Sequence, residues 1–184
     1  WPEGFVNVGR LKVQEGDAIA AQEQLEKALG MYDAKPNPMT RYQKARAQFF
    51  HGLALKARGR QPQALGVWME AAKVFPDDRE LRNQTGRVYF NLEQTDAAIR
   101  EFKHVLTIDP EDLSANYNLM LCYQGTGRKE LAERERLLYF RFKADESAQA
   151  ITGPYRQLHA EDNNERQAIH EHRSALVAMA QPRR

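Results

Sequence analysis

The stretch that decides the fold runs from residue 52 to residue 110 and contains one pattern twice. Residues 52–76 read GLALKARGRQPQALGVWMEAAKVFP, and residues 86–110 read GRVYFNLEQTDAAIREFKHVLTIDP. Small, aromatic and proline residues recur at a step of 34 residues, in the pairs Gly52 and Gly86, Ala64 and Ala98, Trp68 and Phe102, and Pro76 and Pro110. A fixed period of this length is typical of an array of supersecondary units.

Each copy of the pattern predicts a helical hairpin. In the first copy, residues 44–58 and 61–74 have helical periodicity, and Gly59 lies in the short turn between them. Small residues on both helices allow the two backbones to approach closely, while the late aromatic residue fills the gap beside the next hairpin. Proline ends the second helix. The acidic residues that follow it favour the first turn of the next helix because they complement the helix dipole.

Further copies lie on both sides of this stretch. Downstream, residues 113–142 keep the phase but carry Met120 where the other copies have glycine and Arg136 where they have an aromatic residue. Upstream, Gly9 lies 43 residues before Gly52, which is nine more than the period. The excess falls in a loop insertion near residues 31–42, where two prolines interrupt the helical pattern and helix extensions could flank the loop.

These positions resemble the tetratricopeptide repeat (TPR), whose pattern of spaced Leu-Gly, Tyr, Ala, Phe, Ala and Pro is matched by Gly52, Leu55, Ala64, Trp68, Ala71 and Pro76. The next repeat matches through Gly86, Tyr89, Ala98, Phe102 and Pro110. The resemblance implies an all-α fold, a TPR α-solenoid of about four helical hairpins. The expected array spans residues 1–142, with repeats at about 2–35, 45–78, 79–112 and 113–142.

The rest of the chain departs from the period. Residues 143–159 predict a capping helix over the end of the array, with Ile151, Tyr155 and Leu158 as its apolar contacts. Residues 160–184 are expected to form a polar, extended tail. This tail is similar to the end of TPR regions in large bacterial extracytoplasmic proteins, some of them attached to multihaem cytochromes c. That resemblance implies a bacterial periplasmic or extracellular location.

Composition excludes several classes of protein. Hydrophobic residues make up 42% of the chain and charged residues 28%, and no apolar run is long enough for a membrane helix. The formal net charge is +2 with both signs interleaved, so we expect no nucleic-acid partner. Because the chain begins at Trp1 without an initiator Met or a leader, we interpret it as a fragment or a processed product.

The sequence predicts neither a catalytic site nor a cofactor. Cys122 is the single cysteine, which excludes a Cys-x-x-Cys site for metal or haem, and its apolar helical setting favours a buried, inert thiol. His170 and His172 form the one close pair of histidines, but on a helix their side chains lie roughly 200° apart. We therefore expect a protein that is not an enzyme, with no metal and no cofactor.

The TPR resemblance implies a concave groove lined by the first helix of each repeat. The residues that it places there as a partner-binding site are Phe49, Leu53, Asn83, Arg87, Phe90, Tyr117, Asn118 and Leu121. This mixture of aromatic, amide and guanidinium groups suits an extended peptide or a helix. The alternative for Leu53, Phe90 and Leu121 is packing between hairpins. The groove lacks the Lys and Asn clamp of TPR proteins that capture a terminal carboxylate, which disfavours chaperone tails.

Three functions remain open at this point. The first is a non-catalytic scaffold that mediates protein–protein interaction by holding protein or peptide segments in its groove. The second is a self-assembling structural subunit of filament type, in which the tail docks on a neighbour through residues such as Ile169, His170 and His172. The third is a C-terminal TPR module of a multihaem cytochrome. The sequence ranks the scaffold first because that function requires only the repeats.

Overall fold

A computed structural model describes residues 1–147, which form four helical hairpins. The helices are α1 (Pro2–Gln14), α2 (Ala18–Ala34), α3 (Arg41–Ala57), α4 (Gln61–Ala72), α5 (Arg79–Asn91), α6 (Thr95–Ile108), α7 (Leu113–Gly125) and α8 (Lys129–Ser147). The described residues contain no strand, and the predicted all-α solenoid is confirmed.

The nine residues in excess of the period lie between the first and second hairpins. Helices α2 and α3 each have 17 residues, whereas α4, α5 and α6 have 12, 13 and 14. A 3₁₀ turn at Pro38–Thr40 completes the connection. At the other end, α8 continues to Ser147, so the predicted start of a capping helix at residue 143 falls inside α8. The remainder of that segment and the predicted tail lie outside the described residues.

The turn inside each hairpin needs a residue in the left-handed region of backbone conformation. Gly59 and Gly127 have φ values of 74° and 72°, and Glu93 has φ 60° at the equivalent position. Glycine adopts this conformation without the steric penalty of a Cβ atom, whereas Glu93 adopts it at a steric cost. The shared phase of these three residues in the sequence thus reflects a shared turn geometry.

A close contact between helices fixes the spacing within the first three hairpins. A Cβ atom added to Gly86 would lie 2.6 Å from the Phe102 ring, and one added to Gly9 would lie 2.5 Å from Leu25. Gly52 has the same relation to Trp68, whose indole Nε1 donates a hydrogen bond of 3.0 Å to the Phe49 carbonyl. The large side chain therefore occupies the volume that the glycine leaves, and the two helices approach closely.

The hairpins stack into two layers, with the first helices inside and the second helices outside. The second helix of each hairpin packs on the first helix of the next, as α2 does on α3 and α6 on α7. First helices also contact each other, α1 with α3 and α5 with α7, whereas successive second helices make no comparable contact. Because the inner layer is the more closely packed, the solenoid is concave on the side of the first helices.

Three aspartates cap the helices that follow the turns and linkers. Asp78 accepts a hydrogen bond of 2.8 Å from the Leu81 amide, and Asp112 accepts one of the same length from the Ala115 amide. Asp17 caps α2 in the same way. The acidic residues expected after each proline thus act as N-caps, which satisfy backbone amides that have no partner within the helix.

A buried polar network joins the third hairpin to the fourth. Arg79 pairs with the fully buried Asp109, and its guanidinium lies 3.8 Å from the Asp112 carboxylate. The side-chain amide of Asn83 also donates to Asp112. Next to this network, burial raises the pKa of the Asp78 carboxyl to about 6, although the hydrogen bond from Leu81 opposes the shift.

The glycine contact predicts opposite effects for two glycine-to-alanine substitutions. Gly86→Ala should lower the free energy of unfolding by about 1–3 kcal/mol because the new methyl group overlaps Phe102. Gly66→Ala is the matched control in α4, where a Cβ atom meets nothing within 4 Å, and it should stabilise the protein by about 0.5–1 kcal/mol. Urea unfolding measures both values. Equal effects of the two substitutions would contradict the contact.

The raised pKa of Asp78 predicts a pH-dependent effect of Asp78→Asn. The contribution of Asp78 to stability is complete below pH 3.8, the ordinary pKa of an aspartate in the unfolded chain. It is lost as the pH rises through about 6, because the folded state must then bury a carboxylate. Asparagine keeps the cap without a charge. The stability of the variant relative to the parent should therefore increase by up to about 3 kcal/mol between these pH values.

The measurement is urea unfolding of both proteins at a series of pH values. Asp17→Asn is the matched control, because Asp17 makes the same cap at an exposed position. If the difference in the free energy of unfolding between Asp78→Asn and the parent did not change with pH, the cost of burying the Asp78 carboxylate would be contradicted. An equal rise of this difference in Asp17→Asn would contradict it as well.

Candidate partner-binding groove

The concave face carries a row of cationic side chains from the first three hairpins. Arg10 lies on α1, Arg46 and Lys56 lie on α3, and Arg87 lies on α5. The first three are partly buried, and Arg87 is exposed. All four lie on first helices, which form the inner layer of the solenoid.

The first part of this row is centred on Arg46. Its guanidinium lies 5.9 Å from the centre of the Phe50 ring, and its Nε is buried without a hydrogen bond. Burial lowers the pKa of Arg46, and the positive charge of Arg10 acts in the same direction, while Glu3 opposes both. Glu3 also accepts a hydrogen bond from the Tyr32 hydroxyl. The Arg46 guanidinium thus has one carboxylate and one like charge as neighbours.

The second part of the row joins α3 to α5. Lys56 Nζ donates a hydrogen bond of 2.6 Å to Gln84 Oε1, and Gln84 Nε2 donates one of 2.7 Å to Glu80. Burial lowers the pKa of Lys56, and Arg87 lowers it further through charge repulsion, while Glu80 raises it. Lys56 and Arg87 are therefore close enough for their charges to interact across the gap between two first helices.

Aromatic rings replace cations at the fourth hairpin. Tyr117 on α7 is 41% exposed, and its ring centre lies 5.2 Å from that of Tyr139 on α8. Lys143 Nζ lies 5.5 Å from the Tyr139 ring. Nearby, the Asn118 side-chain amide donates to the Ser114 carbonyl at 2.7 Å, which holds it along its own helix. This end of the inner layer offers an amphipathic surface.

Six of the eight groove residues predicted from the sequence retain access to solvent. Arg87 and Tyr117 are exposed, while Leu53, Phe90, Asn118 and Leu121 are partly buried. Leu53 and Phe90 also pack against the hydrophobic core, so one side of each residue is buried and the other remains accessible to solvent. The partner-binding role of all six stays a prediction.

The other two predicted groove residues are buried. Phe49 is 1% exposed, because its ring packs edge-on against Phe50 in the core. Asn83 is 3% exposed and its amide is engaged by Asp112 of the next hairpin. Neither side chain is available to a partner in this arrangement. The predicted tail-docking residues Ile169, His170 and His172 lie outside the described residues.

The sequence reasoning overlooked Arg10, Arg46 and Lys56. One signal was available, because Arg10 and Arg87 each directly follow the glycine that marks the phase of the repeat. Residues that share a phase share a place on the solenoid. The nine-residue insertion separates these two arginines in the sequence and hides their equivalence.

Other candidate chemistry is limited in the part of the chain that the structure describes. Cys122 is buried, and burial raises the pKa of its thiol to about 11, which disfavours the reactive thiolate. Within residues 1–147, no group of three His, Cys, Asp or Glu side chains is arranged to hold a metal ion. None of the eight described helices is long and apolar enough to cross a membrane.

Comparison with known proteins supports the repeat and the fold. Residues 80–112 match the family model described as a tetratricopeptide repeat. No curated protein is significantly similar to the chain in sequence. Among solved structures, MamA is similar with a TM-score of 0.70 and 20% identity, over 80% of this chain and 81% of MamA.

Two further structures show the same architecture. A tetratricopeptide repeat protein from Parabacteroides merdae ATCC 43184 has a TM-score of 0.66 and 20% identity, over 76% of this chain and 52% of its own. YrrB, a TPR protein with an unusual peptide-binding site, has a TM-score of 0.66 and 22% identity, over 87% of this chain and 74% of YrrB. The present chain thus contains a tetratricopeptide repeat at residues 80–112, within a solenoid of the tetratricopeptide-repeat fold.

Proposed function

We propose that the chain is a non-catalytic scaffold whose concave groove binds an acidic segment of another protein. The observation that carries this proposal is the row of cations on adjacent first helices. Among the side chains described, those of residues 1–143, no carboxylate lies at ion-pair distance from Arg46, Lys56 or Arg87. Their positive charges are only partly compensated, by Glu3 and Glu80.

Neighbouring like charges that are only partly compensated favour an anionic ligand. Each partly buried cation has lost some of its hydration, and charges interact more strongly near a protein surface than in bulk water. A carboxylate placed between Lys56 and Arg87 would relieve their repulsion and accept charge-assisted hydrogen bonds from both.

The apolar side chains of the same face add a second requirement for the ligand. Leu53 and Phe90 border the cationic row and remain partly accessible, and Tyr117 extends the surface at the fourth hairpin. A segment that alternates acidic and apolar residues would match both features. The alternation suits an extended segment, because its period of two is that of a strand.

The similar structures support a protein or peptide as the ligand. YrrB is described as having a peptide-binding site, and its fold covers most of this chain. A TPR fold is in general a scaffold for protein–protein interaction, which agrees with a non-catalytic function. The acidic character of the partner comes from the residues of this chain alone.

The proximity of Lys56 and Arg87 predicts a change in the pKa of Lys56. Arg87→Ala removes a neighbouring positive charge, so the pKa of the Lys56 amine should rise. NMR titration of the protein after ¹³C reductive methylation measures this shift directly. Arg100→Ala, at an exposed position on α6, is the matched control and should leave the Lys56 titration unchanged. An unshifted Lys56 in Arg87→Ala would show that the two charges do not interact.

The function itself is tested with a fluorescein-labelled peptide of alternating Glu and Leu, and with its counterpart of alternating Gln and Leu. Fluorescence anisotropy should show tighter binding of the Glu peptide, and this preference should decrease with salt. Arg46→Ala combined with Arg87→Ala should weaken binding by about 10-fold or more, since two cations no longer face the ligand.

The matched control for this double variant is Arg100→Ala combined with Lys103→Ala, two exposed cations of the outer helix α6. It removes the same net charge from the opposite layer. Equal affinity for the two peptides would refute an acidic ligand. An equal loss of binding in both double variants would place the binding surface outside the groove.

A further inference from the structure

Three of the described lysine side chains are partly buried, and one of them lacks a carboxylate partner. Lys12 and Lys44 each place Nζ at ion-pair distance from a carboxylate. Lys56 Nζ instead donates a hydrogen bond of 2.6 Å to the side-chain amide oxygen of Gln84, which is neutral. The amine of Lys56 is thus partly removed from water without a paired negative charge to hold it as an ammonium ion.

The orientation of Gln84 is fixed by a second hydrogen bond. Gln84 is 9% exposed, and its Nε2 donates at 2.7 Å to Oε1 of Glu80, four residues earlier on α5. Because the amide nitrogen is engaged by that carboxylate, the amide oxygen is left to accept from Lys56. An unprotonated amine still has N–H groups to donate, so this contact persists when Lys56 loses its proton. The lone pair of the nitrogen is then free to react.

Arg87 adds a positive charge beside the same amine. It lies on α5, three residues after Gln84, and its side chain is exposed. Burial lowers the pKa of Lys56 and the charge of Arg87 lowers it further, while Glu80 opposes both. No carboxylate among the described side chains lies at ion-pair distance from Arg87, so its guanidinium is available to an anion that approaches Lys56 from the groove.

We propose that Lys56 is an acylation site whose acyl donor is an acyl phosphate. In this reaction the unprotonated Nζ attacks the carbonyl carbon, a C–N bond forms, and the C–O bond to the phosphate breaks. The phosphate leaves with the electron pair of that bond, and the nitrogen releases one proton to water. The product is a neutral amide, which keeps one N–H that can donate to Gln84.

The surroundings of Lys56 favour an anionic donor over a neutral ester. The phosphate group of an acyl phosphate carries negative charge, which the guanidinium of Arg87 can bind through two parallel hydrogen bonds. This contact holds the carbonyl group near Lys56 and stabilises the charge that develops on the leaving phosphate. A neutral ester offers Arg87 no anion to bind. Lys56 thus acts as the nucleophile and Arg87 as the anion contact.

Acylation of Lys56 removes one cation from the concave face. Weaker binding of an acidic segment would follow, and this consequence rests on the proposed function of the groove. The acylation itself depends only on Lys56, Gln84 and Arg87 and is measured without any peptide. Failure of the acylation and failure of peptide binding are therefore distinguishable.

The test is incubation of the 184-residue chain with acetyl phosphate at mildly alkaline pH, followed by peptide mass spectrometry at a series of times. Lys35 is the internal reference, because it is exposed and also lacks a carboxylate at ion-pair distance among the described side chains. Lys56 should be acetylated about 3-fold faster or more than Lys35, since more of its amine is unprotonated and Arg87 binds the reagent.

Substitutions of two neighbours separate this site from general lysine reactivity. Arg87→Ala should slow the acetylation of Lys56 by about 3-fold or more relative to Lys35, whereas Arg87→Lys keeps the charge and should retain most of the rate. Gln84→Glu should also slow the reaction, because a carboxylate at this place holds the amine as an ammonium ion. Arg100→Ala, at an exposed position on α6, is the matched control and should react like the parent.

The choice of reagent gives a second comparison. N-succinimidyl acetate carries no charge, so Arg87→Ala should slow its reaction with Lys56 less than it slows the reaction with acetyl phosphate. Thermal unfolding of Arg87→Ala should match that of the parent, because the replaced side chain is exposed. Equal rates at Lys56 and Lys35 in the parent would overturn the acylation site. An equal effect of Arg87→Ala on both reagents would overturn the acyl phosphate as the donor.

Discussion

In the first three hairpins, a large side chain of the second helix rests on a glycine of the first helix. The pairs Gly86 with Phe102 and Gly52 with Trp68 leave no room for even a methyl group between the helices. This contact sets the distance between the two layers of the solenoid. Because it repeats with the period of the sequence, it also brings successive first helices into one inner layer, and the groove depends on that layer.

The groove is a consequence of this repetition. Residues that hold the same phase in different hairpins, such as Arg10 and Arg87, occupy equivalent positions on their first helices although they are far apart in the sequence. The buried pair of Arg79 and Asp109 then ties the third hairpin to the fourth. The first helices thus carry the cations and apolar side chains of the proposed binding surface on packed elements of the fold, which would lower the entropy cost of binding.

The fold could be predicted from the sequence because the residues that repeat with the period each meet a strict steric requirement. Gly52 lies where no Cβ atom fits, and Pro76 ends a helix. The groove could be predicted only in part. Phe49 and Asn83 have the right phase, but the Phe49 ring packs against Phe50 in the core and the Asn83 amide is engaged by Asp112, the N-cap of α7. The cationic character of the groove could not be predicted for a related reason. The row of charges forms only when first helices from different hairpins come together in the folded chain.

The central claim is that the first-helix layer is the surface that meets a partner. The most direct measurement is the mapping of ¹H–¹⁵N chemical-shift changes when an acidic peptide is added to the ¹⁵N-labelled chain. The changes should concentrate along α3 and α5, around Arg46, Lys56 and Arg87, with little change at exposed outer positions such as Met69. Changes concentrated on the outer helices, with the first helices unaffected, would contradict it.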